Sequence, residues 1–418
     1  MQTWRTLLDI CLSQTFMARA NPDLEQTLMQ QPLPPAEVKD GMMTLVLTNH
    51  DFIEYSTSIA VGNPLQRFQA LVDLSVSASF VPSIKCKDEE WEEECDLHPL
   101  YNSSASSTYF PDGKLVEVHD GIFYTRGNTS IDSFHFGYVE IYNQTFNEAD
   151  VVHSFGFPYE TWYDAVLPLA RTTVPETTGT NLSVPSVFQN AMEQGVLARN
   201  VVAINLPRSK DDVGTLSIGG VDEGRTEKTD TVAHLPIADN IIIPPGSPSD
   251  HVHGGWYVEA VSLRLETIPG PLYFNLSGYI AMFETAMPWS TLPSAFFDQM
   301  METIGADEGW VFHHLPCERT QNLPDLVISL RGRDGRVHDF VMRDDEYAAR
   351  EIDYHIEPEG YCSLALLSED KQELDVPDHI RLGTWFWRKF YTVFDVDGME
   401  ISCKLYQVEL FVFGVVLT

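Results

Sequence analysis

Basic residues are scarce in this sequence. Its 418 residues contain 26 Lys and Arg against 61 Asp and Glu, which gives a formal net charge of −35 at pH 7. Nucleic-acid phosphates and anionic membrane surfaces are bound mainly by Lys and Arg, so the composition argues against both kinds of partner. The excess of carboxylates is compatible with a protein that works in an acidic compartment.

Membrane-spanning runs and zinc-type cysteine spacings are also missing. The apolar C-terminal stretch VELFVFGVVLT (408–418) is too short to cross a bilayer and is typical of a buried strand. No Cys-x-x-Cys pair occurs, which removes support for zinc ribbons and thioredoxin-like sites. His251, His253 and the pair His313 and His314 lack a ligand partner at helical spacing. We therefore expect no metal site and no cofactor.

The sequence contains six cysteines, at positions 11, 86, 95, 317, 362 and 403. Cys86 and Cys95 enclose a short acidic loop, and we expect them to form a local disulfide. Cys317 and Cys362 both lie in the second half and predict a disulfide that closes a longer loop. The remaining two cysteines are then expected to stay unpaired.

Five Asn-x-Ser/Thr sequons, together with the predicted disulfides, favour a secreted protein or one in the secretory pathway. The candidate glycosylation sites are Asn102, Asn128, Asn143, Asn181 and Asn275. Residues 1–20 are similar to a signal peptide with a candidate Ala-Arg-Ala cleavage site, although Asp9 and Gln14 interrupt its apolar region. A cleaved signal peptide and a retained N-terminus therefore both stay open.

Short apolar or alternating segments bounded by Gly, Pro, Asn or Asp dominate the pattern and predict strands. The clearest are YSTSIAVG (55–62), RFQALVDL (67–74), SIDSFHFGYVEI (130–141), GTLSIGG (214–220), WYVEAVSLRLE (256–266) and FYTVFDVDG (390–398). Helical patterns are fewer, the best being 184–197 and 293–305, each starting near a Pro-Ser pair. The fold class is therefore mostly β.

The length of the chain suits two domains. A segment rich in Pro, Gly and Ser at 238–255 is typical of a loop, and we place the domain boundary just before it, near residue 225. We expect a short lead-in over 21–50, an N-terminal β domain over 51–225 and a C-terminal β domain over 226–418.

One segment occurs twice, once in each half. ALVDLSVSASFVPS (70–83) and AMFETAMPWSTLPS (281–294) share five positions at a spacing of 211 residues. The matched pairs are Ala70 and Ala281, Asp73 and Glu284, Ser79 and Ser290, Pro82 and Pro293, and Ser83 and Ser294. An acid follows an apolar run in both halves, which indicates that the same local structure, with its acid, occurs twice.

From about residue 52 onward the chain resembles the pepsin-like aspartic peptidases. YSTSIAVGNPLQRFQALVD resembles the first strands of that family with their Gly-x-Pro-x-Gln-x-Phe turn, and YNSSASSTY resembles its Ser-Ser-Thr-Tyr loop. VPSVFQNAMEQGVL, GTLSIGGVD and LGTWFWRKFYTVFDVD are similar to later family segments in the same order. The resemblance implies a bilobal fold, in which two β lobes are related by an approximate twofold axis and enclose a central cleft.

In that family each lobe contributes one carboxylate from an Asp-Thr-Gly-Ser/Thr motif, and the resemblance assigns these positions to Asp73 and Glu284. The two carboxyls share a proton, because like charges at short range do not both ionise readily, and together they activate a water that attacks the peptide bond. The Thr joins the two loops, the Gly permits a tight turn, and the last hydroxyl donates to the carboxylate.

Both motifs depart from the family pattern, reading Asp73-Leu74-Ser75-Val76 and Glu284-Thr285-Ala286-Met287. The extra methylene of Glu displaces a carboxylate by about 1 Å, a misplacement that can cost about a hundredfold in rate. Ser75 and Ala286 stand where the family has Gly, so a Cβ is expected to strain each turn. Val76 and Met287 replace both supporting hydroxyls, so we expect two poorly oriented carboxyl groups.

The flap and the first-lobe glycines are altered as well. The family places a Tyr over the cleft, and the matching position here is Asp120, with Tyr124 as the second candidate. The stretch DAVLPLA (164–170) has Ala165 and Pro168 where the resemblance predicts glycines. The lead-in holds a single basic residue, Lys39, whereas active members usually carry a basic prosegment.

Three functions stay open. The altered motifs favour a protein with impaired or lost proteolysis, which binds a peptide, protein or small molecule in the interlobe cleft. Retention of two carboxyl groups favours an atypical but active aspartic endopeptidase. A carboxyl group in an apolar cleft also suits an enzyme that uses one acid or base on a small molecule. A monomer without nucleic-acid or membrane partners is expected in each case.

Overall fold

The computed structural model describes residues 37–39, 41–86, 95, 98–119, 123–136, 139–154, 163–171, 174–175, 183–209, 211–226, 232–238, 255–309, 312–349, 360–369 and 378–405. Strands predominate in these ranges, which confirms the mostly β prediction.

The strands of the first half are β1 (Glu37–Lys39), β2 (Met42–His50), β3 (Glu54–Val61), β4 (Gln66–Asp73), β5 (Phe80–Pro82), β6 (Phe110–His119), β7 (Phe123–Phe136), β8 (Val139–Ser154), β9 (Ala165–Pro168), β10 (Val174–Pro175), β11 (Ser183–Val184), β12 (Val201–Asn205) and β13 (Gly214–Ile218). Those of the second half are β14 (Val232–Pro236), β15 (Tyr257–Leu265), β16 (Leu272–Asn275), β17 (Ile280–Phe283), β18 (Ser290–Pro293), β19 (His314–Pro316), β20 (Leu326–Arg331), β21 (Val337–Met342), β22 (Ala348–Ala349), β23 (Tyr361–Leu364), β24 (Leu366–Glu369), β25 (His379–Leu382), β26 (Phe390–Asp395) and β27 (Glu400–Leu405).

The helices of the described residues are α1 (Val187–Glu193), α2 (Glu223–Thr226), α3 (Ser294–Ile304), α4 (Asp344–Tyr347) and α5 (Thr384–Trp387), with 3₁₀ turns at Ser103–Ala105 and Cys317–Thr320. The two predicted helices are α1 and α3. The hydroxyl of Ser186 accepts from the Gln189 N–H at 2.9 Å and caps α1. Gly305, with a left-handed φ of 65°, ends α3.

Two large sheets organise the chain. A 14-stranded sheet has the order β14-β27-β26-β12-β13-β2-β3-β7-β8-β5, with β1, β4, β6 and β9 branching from it. An eight-stranded sheet has the order β21-β20-β15-β17-β25-β18-β24, with β16 on β15. The larger sheet therefore combines strands from both halves, because β14, β26 and β27 of the second half join β12, β13 and β2 of the first.

Strand β2 lies inside this sheet, although the sequence placed its residues in a lead-in. It pairs antiparallel with β13 along its first part and with β3 along its last part. Met43, Leu45 and Leu47 alternate into the core, each at most 5% exposed. Residues 42–50 therefore belong to the folded body. Unfolding this strand would expose its apolar face to water.

Four aromatic side chains of the second half pack together beside the second predicted acid. The Trp256 ring lies 5.2 Å from the Phe394 ring, and the Phe283 ring lies 5.9 Å from Phe394 and 6.2 Å from Trp387. All four side chains are buried. Since Phe283 directly precedes Glu284, this packing fixes the strand end that carries the second acid.

The two predicted disulfides are confirmed, as Cys86 is bonded to Cys95 and Cys317 to Cys362. Cys403 is unpaired and buried, and burial raises the pKa of its thiol to about 12. Cys11 lies outside the described residues. In the part of the chain that the structure describes, every helix is too short or too polar to cross a membrane.

Candidate active site

The two predicted acids lie at equivalent places in two copies of one local topology. Asp73 ends β4, which pairs antiparallel with β3 and parallel with β9. Glu284 follows β17, which pairs antiparallel with β15 and parallel with β25. The internal repeat seen in the sequence thus corresponds to a structural repeat, in which each acid leaves the end of a buried strand.

The loops that carry the two acids are hydrogen bonded to each other. The N–H of Leu74 donates to the Thr285 hydroxyl at 3.0 Å, and both residues are buried. The reciprocal bond is absent because Leu74 has no hydroxyl. The Thr285 N–H donates instead to the carboxylate of Glu284 at 3.1 Å. The structure therefore brings the two acid-bearing loops together through one half of a reciprocal pair.

Asp73 is held by its own loop. The N–H and the hydroxyl of Ser75 both donate to Asp73 Oδ1 at 2.7 Å, and Asp73 is fully buried. We expected Asp73 to lose its supporting hydroxyl through Val76, and for this acid that expectation was wrong. Ser75, one residue earlier, supplies a hydroxyl. The sequence did contain a signal, namely a Ser directly beside the position where the family hydroxyl is missing.

Glu284 uses its longer side chain to turn back onto its own backbone. The N–H groups of Thr285 and Ala286 donate to Oε1 at 3.1 and 3.2 Å. In both loops, therefore, the N–H of the second residue after the acid donates to the carboxylate of that acid. Ser75 donates to Oδ1 of Asp73, and Ala286 donates to Oε1 of Glu284. The backbone of Glu284 is fixed as well, since its carbonyl accepts from the Trp387 indole at 3.2 Å.

The residues in place of the two motif glycines do not distort the backbone. Neither Ser75 nor Ala286 is among the described non-glycine residues with a positive φ, so the strain expected from a Cβ does not arise there. The Ala286 side chain instead packs in a small apolar cluster with Phe80 and Val166 of the first half. The substitution thus adds a contact between the two halves.

The parallel strands below the acids differ between the halves. In the second half the N–H of Gly383 donates to the Ser290 hydroxyl at 3.1 Å, and a Cβ at Gly383 would meet a backbone oxygen at 2.1 Å. In the first half Pro168 pairs with Asp73 and has no N–H. The matching hydroxyl, Ser79, donates to a backbone carbonyl of β9 at 2.7 Å instead. The Pro is accommodated because Ser79 takes another partner.

A buried phenol lies near Glu284 and near two guanidinium groups, and none of these three groups was identified from the sequence. Burial raises the pKa of Tyr257, and the charge of Glu284 adds to that rise, whereas Arg171 and Arg381 oppose it. The Arg171 guanidinium donates to the carbonyl of Gly255 at 3.2 Å, so it reaches from the first half to the start of β15. Glu284 and the two guanidinium groups therefore act on the same buried phenol.

The flap candidates are only partly described. Asp120 lies outside the described residues. Tyr124 lies near the start of β7, pairs with His119 and His153, and is half-buried. Burial and the nearby Glu117 raise the pKa of its phenol. The assignment of either residue as a flap residue stays a prediction.

Among the candidate glycosylation sites, Asn128, Asn143 and Asn275 are exposed, and Asn181 lies outside the described residues. Asn102 is half-buried and accepts from Ser104 in a local turn.

Metal-binding clusters of three or more His, Cys, Asp or Glu side chains are absent from the described ranges. His313 packs edge to face on Phe297, and His314 does so on Tyr361. His251 and His253 lie outside the described residues.

Residues 54–404 match the family model described as eukaryotic aspartyl protease. The chain belongs to this family. The fold is accordingly the bilobal one, with two β lobes around a central cleft, as the sequence predicted. The family recognition is confirmed over nearly the whole described chain.

Relatives in this family include two vacuolar proteases and a renin. The chain is 28% identical to vacuolar protease A of Aspergillus fumigatus over 352 residues, which is 84% of this chain and 78% of the relative. It is 27% identical to a vacuolar aspartic protease of Candida albicans over 368 residues, covering 87% of this chain and 78% of the relative. Mouse renin-2 is 25% identical over 379 residues, with 88% and 84% coverage.

Within this family the geometry retains one carboxyl group per lobe, on loops joined by a hydrogen bond. Such a pair is suited to holding a water or a polar ligand and to exchanging a proton with it. The two carboxyls are no longer equivalent, because one is a short side chain with a hydroxyl donor and the other is a long side chain bound to its own backbone.

Proposed function

We propose that this aspartyl protease family member binds a peptide or protein segment in its interlobe cleft and hydrolyses it poorly or not at all. The observation that carries this proposal is the bond from the Thr285 N–H to the carboxylate of Glu284. Because of this bond, the Thr285 N–H does not donate to the first loop. The bond also holds the longer Glu284 side chain against its own backbone. Loss of precise carboxylate placement is expected to cost about a hundredfold or more in rate.

The second candidate is an atypical but active endopeptidase, and Ser75 is the observation that favours it. Its hydroxyl and N–H both donate to Asp73 Oδ1 at 2.7 Å, so one of the two acids keeps two donors from its own loop. If Glu284 serves mainly to share the proton, the longer side chain could be tolerated. This candidate predicts slow hydrolysis that requires Asp73.

The distinguishing experiment compares binding with cleavage. Purified protein is incubated with casein and with a fluorogenic peptide library at about pH 3 to 6, around ordinary carboxyl pKa values. A family member with two Asp-Thr-Gly motifs serves as the positive control, and binding of pepstatin is measured by calorimetry. Saturable pepstatin or peptide binding without turnover supports the proposal. Pepstatin-sensitive cleavage that Asp73→Asn abolishes, at a rate near that of the positive control, overturns it.

We also propose a monomer in the secretory pathway or in a vacuole-like compartment. Two disulfides, the exposed sequons and the vacuolar relatives support this location. An excess of acidic residues supports work at low pH, where fewer carboxylates repel one another. Glycosidase-sensitive mass and co-fractionation with vacuolar markers are the expected results, and an unglycosylated cytosolic protein would contradict the proposal.

A further inference from the structure

Strand β16 forms an edge of the eight-stranded sheet. It pairs antiparallel with β15, and within the described residues no second strand pairs with its other side. Its inner face packs on helix α3, where the Phe274 ring lies 6.1 Å from the Phe296 ring. Another chain can add to an unpaired strand edge, so proteins usually protect such edges with charges, prolines or a covering group.

The outer face of β16 is exposed and uncharged. Side chains alternate along a strand, so Tyr273 and Asn275 lie on the same side, with the two other side chains of β16 on the opposite side. Tyr273 is 57% exposed, and Asn275 is also exposed. The four residues of β16 carry no charge, so charge does not protect this edge. An exposed ring and a sequon asparagine therefore lie two residues apart on one face.

The side-chain amide of Asn275 has the geometry that an N-glycan acceptor needs. Its oxygen accepts from the N–H of Ser277 at 3.1 Å, which holds the amide in one orientation. Its nitrogen, Nδ2, makes no hydrogen bond among the described residues. Nδ2 is the atom to which an N-glycan is attached. The structure therefore fixes the oxygen and leaves the nitrogen available.

The exposed sequon at Asn128 is a useful comparison, because it lies inside β7 and has a neighbour strand on each side. Its neighbours on the same face are not aromatic, being Arg126 and Ser130 along the strand and Leu115 and Glu148 across it. Asn128 therefore has neither the open edge nor the exposed ring that accompany Asn275.

We propose that Asn275 carries an N-glycan whose first N-acetylglucosamine ring lies on the Tyr273 ring and covers the open edge of β16. This inference rests on the secretory location proposed above. In the attachment step Nδ2 bonds to C1 of the sugar, the bond from C1 to a lipid diphosphate breaks, and Nδ2 loses one proton as the lipid diphosphate leaves. The apolar face of the sugar removes the Tyr273 ring from water. The bulky, hydrated glycan also keeps another strand from adding to β16.

Glycopeptide mass mapping of the full chain, secreted from yeast, tests the site. The peptide that contains Asn275 is expected to carry a glycan. Ser277→Ala is expected to remove that glycan while keeping the backbone N–H that holds the Asn275 oxygen. A chain that is glycosylated at Asn128 or Asn143 but unmodified at Asn275 overturns this inference and leaves the secretory location intact. A chain without glycans at any sequon contradicts the location as well.

Melting temperatures measure the contact between the glycan and the ring. The native chain is compared with Tyr273→Ala, Ser277→Ala and the double variant. Loss of the glycan is expected to lower Tm by about 1–2 °C more when Tyr273 is present than when Ala replaces it. Tyr142→Ala is the control, because Tyr142 is also an exposed tyrosine but lies on β8 of the first half. Additive effects of Tyr273→Ala and Ser277→Ala overturn the proposed contact.

Sedimentation at rising protein concentration tests the covered edge. Ser277→Ala is expected to self-associate at a lower concentration than the glycosylated native chain, because β16 is then open to a second copy. Asn128→Gln is the matched control, since it removes a sequon that lies inside β7 and away from this edge. Equal self-association of Ser277→Ala and the native chain overturns the covering role of the glycan.

Discussion

The Leu74 N–H donates to the Thr285 hydroxyl at 3.0 Å across 211 residues of sequence. This bond joins the two acid-bearing loops, and both of its residues are buried. A Thr in each loop would form two reciprocal hydrogen bonds between the loops. Because residue 74 is Leu, the bond to Thr285 is the one that remains.

Replacing Thr285 by Val keeps the shape of the side chain and removes the hydroxyl. The buried N–H of Leu74 then loses its acceptor, which is expected to lower the free energy of unfolding by about 1–3 kcal/mol. Thr285→Ser keeps the hydroxyl and should lose much less. Urea unfolding measures both variants, and equal losses for Val and Ser would show that this bond contributes little.

Glu284→Asp alone is expected to leave peptide cleavage low, because Leu74 still cannot return the hydrogen bond to the Thr285 N–H. Combining Glu284→Asp with Leu74→Thr and Met287→Thr should raise kcat/KM by about a hundredfold, the scale of one restored electrostatic donor. The effects are not additive, since these residues act as a unit. Full recovery of kcat/KM by Glu284→Asp alone would show that the length of the Glu284 side chain is what limits peptide cleavage.

Adding Val76→Ser to that combined variant should change kcat/KM by much less than the other substitutions. Ser75 already donates a hydroxyl to Asp73 at 2.7 Å, so a second hydroxyl has little to repair. Ser75→Ala in the same background is the informative companion, with an expected loss of about tenfold or more. The reverse ranking of the two variants would mean that Ser75 is structural.

Glu54 and His50 should give opposite slopes to stability as the pH changes. Burial raises the pKa of Glu54 from 4.5 to about 7, so its contribution is present below pH 4.5 and is lost as the pH rises through 7. Burial lowers the pKa of His50 from 6.5 to about 4, so its contribution is present above pH 6.5 and is lost as the pH falls through 4.

Single variants separate these two slopes. Between pH 4.5 and 6.5 the contributions of Glu54 and His50 oppose each other in the native protein. Glu54→Gln should therefore become more stable as the pH rises through this range, and His50→Gln less stable, with about 1.36 kcal/mol per pKa unit as the upper scale. Urea midpoints at several pH values measure the effect. Parallel curves for both variants would contradict the assignment.

The two disulfides should differ in their contribution to stability. The Cys317–Cys362 bond spans 45 residues and the Cys86–Cys95 bond spans nine. In the chain-entropy account the longer loop contributes about 4 kcal/mol and the shorter one less. The double variants Cys317→Ser/Cys362→Ser and Cys86→Ser/Cys95→Ser test this by thermal unfolding, and a larger loss for the short loop would contradict that account.

The positions of both acids could be predicted from the sequence because they depend on local patterns. An apolar run that ends in an acid marks the end of a buried strand, and the repeat at a spacing of 211 residues marks the second copy. Asp73 and Glu284 indeed lie at equivalent strand ends. The mostly β class and the Cys86–Cys95 disulfide followed from equally local signals.

The orientation of the side chains could not be predicted in the same way. Ser75 turns its hydroxyl onto Asp73 and Glu284 bends back to its own backbone, and both outcomes depend on side-chain torsions that a motif does not specify. The central position of β2 was missed because its pairing with β13 joins segments far apart in sequence. The alternation of Met43, Leu45 and Leu47 is typical of a strand, but it does not specify the partner with which that strand pairs.

The place of β12 in the large sheet has a consequence for protein synthesis. One neighbour, β13, follows it closely, whereas the other, β26, is translated near the end of the chain, and Val202 pairs there with Phe394. Until β26 has left the ribosome, one edge of β12 presents unpaired N–H and C=O groups. At ordinary translation rates this lasts about ten to forty seconds. Nascent chains that stop before residue 390 should therefore aggregate or bind chaperones rather than fold.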